Sequence, residues 1–153
     1  MGNGEVYDVL AKKYGLRPYA EMAEEFDLEE IETKEHFLKH VRKQIVNRIE
    51  FGLDILERII QPDTNRVADM YECRLFGEEE KNGIFKLFKE LMFLHRTALF
   101  VDLNDGEKAD AEFIKQATTS WFSYKKELVS IASKLMESWK VSPSEKENQV
   151  YFG

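Results

Sequence analysis

Gly15, Pro18, Pro62, Gly77 and Gly106 divide this sequence into spans whose apolar residues recur at helical spacing. Little else interrupts them, since the whole chain has three prolines and eight glycines. Proline lacks the amide that a helix interior needs, and glycine favours the left-handed cap, so both mark helix ends. The spans predict helices over 5–14, 19–28, 34–60, 65–75, 78–103 and 108–140. Pro18 suits the first turn of the second helix, Thr33 is the expected N-cap of the third, and Pro62 is its stop.

The third helix carries the stripe Leu38, Val41, Ile45, Ile49, Leu53, Leu56 and Ile60. The last carries Ile114, Ala117, Trp121, Tyr124, Leu128, Ile131 and Leu135, alternating three and four as in a bundle seam. No segment alternates apolar and polar residues long enough for a strand of a half-buried sheet. The expected fold is all-α, an antiparallel helical bundle of three long helices plus two or three short ones. Residues 1–140 form a single domain in this reading, and 141–153 a C-terminal extension with an apolar end at Val150-Tyr151-Phe152.

A chain of 153 residues can bury enough surface to fold without a disulfide or metal staple. The single cysteine, Cys73, rules out an intrachain disulfide and reads as a small core residue in a reducing, cytoplasmic compartment. The N-terminal residues show no basic region followed by an apolar stretch, so no secretory signal is expected. The longest near-apolar stretch, Leu91 to Leu103, is too short to span a bilayer, and no membrane partner is expected. A net charge of -7 argues against broad nucleic-acid binding. No nucleotide-binding loop, dinucleotide fingerprint or nucleophile elbow is present, and no cofactor is expected.

Four groups of polar residues invite a chemical reading. His36 and His40 are four apart, a chelating spacing, but both fall roughly 160–200° from the apolar stripe of their helix. They are expected to be exposed and to bind no metal. Glu50 and Asp54 are weak metal candidates. The all-α nucleotide pyrophosphohydrolases related to MazG place a Glu-x-x-Glu pair and a later Glu-x-x-Asp pair around magnesium. Glu21 and Glu24 match the first spacing, but Glu50 and Asp54 are four apart and depart from the second. His95 and Asp102 are the weak catalytic candidates. They share a face of a helix that is apolar on almost every side, and such a helix is normally buried. His95 is therefore expected to be largely buried and hydrogen-bonded to another helix, and Asp102 to cap the following turn.

The last group is a pattern of charge. Glu21, Glu24, Glu25, Glu29, Glu30 and Glu32 precede the basic residues Lys34, Lys39, Arg42, Lys43 and Arg48. The basic run occupies the N-terminal half of its helix and Glu50, Asp54 and Glu57 the C-terminal half, an order that opposes the helix dipole. Either the acidic segment folds back on the basic half, or two such helices pair antiparallel in a homodimer. The dimer interface would hold Lys39, Lys43, Glu50 and Asp54, with Phe51 on the polar side as its anchor. The function expected from these features is a non-catalytic helical interaction protein that binds itself or a protein partner. The alternatives are a small metal-dependent hydrolase with a site in the bundle core and a nucleic-acid-associated protein using the basic stretch 34–48.

Overall fold

A computed structural model describes residues 2–141. It holds six α-helices: α1 (Asn3–Tyr14), α2 (Tyr19–Phe26), α3 (Phe37–Ile60), α4 (Val67–Glu72), α5 (Glu78–Asn104) and α6 (Glu107–Ser138). Short 3-10 turns at Leu28–Glu30 and Cys73–Leu75 follow α2 and α4. The all-α bundle expected from the periodicity is what forms, and no strand occurs among the described residues. Of the extension expected over 141–153, only Val141 lies among the described residues.

The three long helices make the body. Arg42 meets Asp102 and Glu50 meets His95, so α3 and α5 run antiparallel. Glu80 meets Lys134, with the start of α5 beside the end of α6. Arg42 also meets Asp110, and Gly52 stands against Leu128, so α3 and α6 run parallel with α5 against both. The α3 stripe is buried from Leu38 through Leu56, while at its end Ile59 replaces Ile60 as the buried residue. In α6 the seam is buried at Ile114, Ala117, Trp121 and Leu128, while Ile131 and Leu135 are half-buried.

The short helices close the ends. Gly15 caps α1 in the left-handed conformation, and the buried Tyr7 hydroxyl donates to the Arg17 carbonyl at 2.6 Å. The Asn3 amide donates to the carbonyls of Leu28 (2.9 Å) and Ile31 (2.8 Å), tying α1 to the segment after α2. At the far end, Tyr71 and Trp139 pack their rings 4.4 Å apart, and the Trp139 indole donates to Glu72.

One boundary differs from the sequence expectation. Helix α3 begins at Phe37, not at residue 34, because His36 takes a left-handed conformation (φ 50°). Thr33, the expected N-cap, accepts a hydrogen bond from the Glu35 amide instead. Phe37 and Leu38 are both buried, so the chain must turn sharply to set two adjacent side chains against the core.

Gly52 lies where α3 faces both α5 and α6. A Cβ there would stand 3.0 Å from Leu128 Cδ1 and 3.4 Å from Leu91 Cδ1. Gly83, in α5, has nothing within 4 Å of the equivalent position. Replacing Gly52 by Leu should destabilise the fold by about 1–3 kcal/mol through overpacking. Gly83→Ala should stabilise it by about 1 kcal/mol, because only the helix propensity changes. Denaturant melts of the two variants check both signs; a neutral Gly52→Leu would contradict the close approach.

Candidate functional site

The sequence candidates gather mainly in one open cleft of about 790 Å³ between α3, α5 and the segment after α2. His40, Lys43, Glu50, His95 and Asp102 all line it, together with Glu30 and Glu32. Its floor is Arg42, which stands in the basic run of α3. Arg42 is 4% exposed and Asp110, from the first turns of α6, is 3% exposed. Arg42 Nε donates to Asp110 Oδ1 and Nη2 donates to Asp102 Oδ1, each at 2.7 Å. Burial alone would lower the Arg42 pKa; the hydrogen bonds to Asp102 and Asp110, together with the charges of both carboxylates, more than offset this and raise it. The hydrogen bond from Arg42, and then its charge, hold Asp102 below the usual carboxylate range.

Asp102 therefore serves Arg42 and does not cap the turn after α5. His95 is half-buried, not largely buried as expected. Its Nε2 stands 3.4 Å from Glu50 Oε1 on α3, and its Nδ1 lies 2.6 Å from Arg96 Nη1. A guanidinium only donates, so Nδ1 accepts, and the proton sits on Nε2, facing Glu50. His95 and Asp102 thus have separate partners and do not form a working pair.

The two other histidines part company. His36 precedes α3 and is exposed, so no helix places it above His40. His40, expected to be exposed, is half-buried at the cleft. Burial first, then Lys43, Lys39 and His36, lower its pKa from the ordinary 6.5. Among the described residues, no group of three or more His, Cys, Asp and Glu could hold a metal ion. Asp54, one turn after Glu50, pairs with Arg58 on the exposed side of α3.

The proposed α3 interface divides in the same way. Lys39 and Lys43 lie close enough to Asp102 to help lower its pKa, and Glu50 meets His95, so these three face α5 of the same chain. Phe51 is 60% exposed, with the Arg48 guanidinium 5.6 Å from its ring centre. Arg48 Nε is buried without a hydrogen-bond partner. The acidic segment folds back: Gln44 donates to the Asp27 carbonyl at 2.9 Å, and Glu30 and Glu32 share the cleft rim with His40 and Lys43.

A second surface lies on the far side of α5. Its core face is Ile84, Leu87, Leu91, Leu94, Ala98 and Val101. Phe93, Phe100 and Leu103 are 64%, 68% and 79% exposed. With Arg96 they fall within roughly 80° of arc, centred roughly 170° from the core face. Phe85 and Leu99 are exposed beside them. The all-round apolarity of α5 thus means one buried face and one bare face, and does not mean a buried helix. No family model, curated protein or solved structure matches the chain.

Replacing Arg42 by Met should destabilise the protein by about 3–5 kcal/mol, because Asp110 is left buried without a counter-charge. Adding Asp110→Leu should recover most of that loss. His95→Ala, by contrast, should cost under about 1 kcal/mol, because the exposed Glu50 remains solvated. Urea melts distinguish these outcomes; additive losses in the double variant would refute the pairing argument.

Acid should weaken the fold through two groups. Asp102 has a depressed folded pKa, so its contribution is complete above the unfolded carboxylate value and is lost as pH falls through the folded one. The folded pKa of His40 also lies below its unfolded value, so its contribution is complete above 6.5 and declines as pH drops below that. Melting temperature against pH should flatten just below 6.5 in His40→Gln, and at the acid end in Asp102→Asn. Profiles that superpose on the wild type would refute the assignment.

Proposed function

We propose that this chain is a non-catalytic α-helical interaction protein that binds a protein partner through the outward face of α5. The observation that carries the reading is the alignment of Phe93, Phe100 and Leu103 on a face turned away from the core, each more than 60% exposed. Exposed apolar residues scattered singly are ordinary, whereas several large ones in line rimmed by polar side chains suit protein docking. Arg96 stands within the line and Lys89 at its margin, and an aromatic and arginine mixture is the composition of binding hot spots.

The cleft supports an architectural role better than a chemical one. Arg42, Asp102 and Asp110 are committed to one another, and His95 to Glu50 and Arg96. A metal-dependent hydrolase gains little from Glu50 and Asp54, which neighbour each other on α3 but pair separately, Glu50 with His95 and Asp54 with Arg58. A nucleic-acid reading of the stretch 34–48 gains little either: Arg42 is interior, and His40 and Lys43 share their cleft with acids. No described helix is long and apolar enough to cross a membrane. The free, buried Cys73 fits a reducing compartment, and the cytoplasm is part of the proposal.

A photo-crosslinking amino acid placed at Phe100, in cells that make the chain, tests this reading. It should give discrete protein adducts. The same group at Lys126, exposed on α6, should give none, and Phe93→Glu should abolish the Phe100 adducts while leaving the melting temperature unchanged. Adducts of equal yield from both positions, or adducts indifferent to Phe93→Glu, would refute it.

A further inference from the structure

We propose that the occupant of the α5 face is a second copy of this chain, with the two α5 helices packed antiparallel across a two-fold axis. The inference rests on the reading of α5 as a docking face and adds the identity and geometry of the partner. It starts from spacing. Phe93, Arg96, Phe100 and Leu103 are separated by three, four and three residues, which is the a and d alternation of a coiled-coil seam. In an antiparallel pair, the a position of one helix meets a d position of the other. Phe93 then lies opposite the partner's Leu103, and Arg96 opposite the partner's Phe100.

This register is self-complementary. Each end layer joins an aromatic to an aliphatic side chain. Each inner layer sets a guanidinium on an aromatic ring, an attractive contact when water is removed. Parallel packing in the same register would instead oppose Arg96 to Arg96 and bury two like charges. Charge along the helix points the same way. Lys86 and Lys89 are exposed one to two turns before Phe93, and the antiparallel register carries them past the C-terminal end of the partner's α5. That end has unpaired carbonyls and the exposed carboxylate of Asp105. The apolar side chains along the seam offer roughly 500 Å² per copy, or about 1,000 Å² for the pair, the lower bound for a specific interface.

Sedimentation of the full chain at tens of micromolar protein should show a dimer that persists in molar salt, since apolar burial is not screened. Phe100→Glu should yield a monomer that keeps the wild-type helicity and a cooperative melt, at the temperature of wild type diluted until it dissociates. Orientation is read by disulfide trapping in a Cys73→Ser background. Phe93→Cys combined with Leu103→Cys should give a covalent dimer on mild oxidation. Phe93→Cys alone should not, because its two thiols lie about 15 Å apart in the antiparallel register. A wild type that stays monomeric ends this inference. If Phe100 adducts with a different protein are still found, the docking reading survives without it. A dimer that dissolves in salt and ignores Phe100→Glu also overturns the inference, as does efficient trapping by Phe93→Cys alone.

Discussion

The buried guanidinium of Arg42 sets the terms for the rest of the structure. A charge this deep is tolerated only beside a counter-charge with good hydrogen-bond geometry, and here two helices must each bring one. Asp110 comes from the start of α6 and Asp102 from the end of α5, so α3 is fixed in register against both. Apolar stripes alone permit helices to slide by a turn, because one Leu or Ile layer resembles the next. A shift of one turn would move Arg42 about 5 Å from its partners and leave Asp110 buried alone. The ion cluster therefore works as a registry device more than as a source of stability.

Much of this was legible in the sequence, and some of it was readable but obscured. The stripes of α3 and α6 announce their buried faces, because period and burial follow the same geometry. Arg42 stands four after Leu38 and three before Ile45, and Asp110 stands four before Ile114 and seven before Ala117. Both are polar residues at seam positions. Grouping Arg42 with neighbouring lysines as a basic run hid it, since a run is read along the chain and a helix face is read across it. What the sequence does not carry is the backbone between elements. The residues with positive φ, Asp27, His36 and Asp105, are not glycines, so no residue type marks these reversals in advance. The misplaced start of α3 follows from this, and so does the separation of His36 from His40.

The charge order along α3 shows how a local cost is offset at a distance. Basic residues at the helix start oppose its dipole, but Arg42 is neutralised from α5 and α6, and Glu30 and Glu32 share an open cleft with His40 and Lys43. Glu50, in the other half, meets His95. The compensation that an antiparallel α3 pair would supply is present within one chain. The electrostatic reason for such a pair is gone, and Phe51 is left as a single exposed ring beside Arg48.

The outer faces of the long helices show why the docking proposed above falls to α5. In a three-helix body every long helix keeps one outer face, and the sequence must decide how to furnish it. Beyond the cleft, the outer face of α3 is furnished with Asp54 and Arg58, with Phe51 as the exception. On α6, Val129 and Met136 are exposed but stand two turns apart among polar residues. Helix α5 alone lines up Phe93, Phe100 and Leu103 outward, within four turns. Core packing does not require them, because Leu91, Leu94, Ala98 and Val101 already fill the inner face. Leaving each side chain bare forgoes about 1.5–3 kcal/mol of burial, a gain that appears only when another surface covers them. Phe93, Phe100 and Leu103 add nothing to the core, so the free energy they hold is available to association.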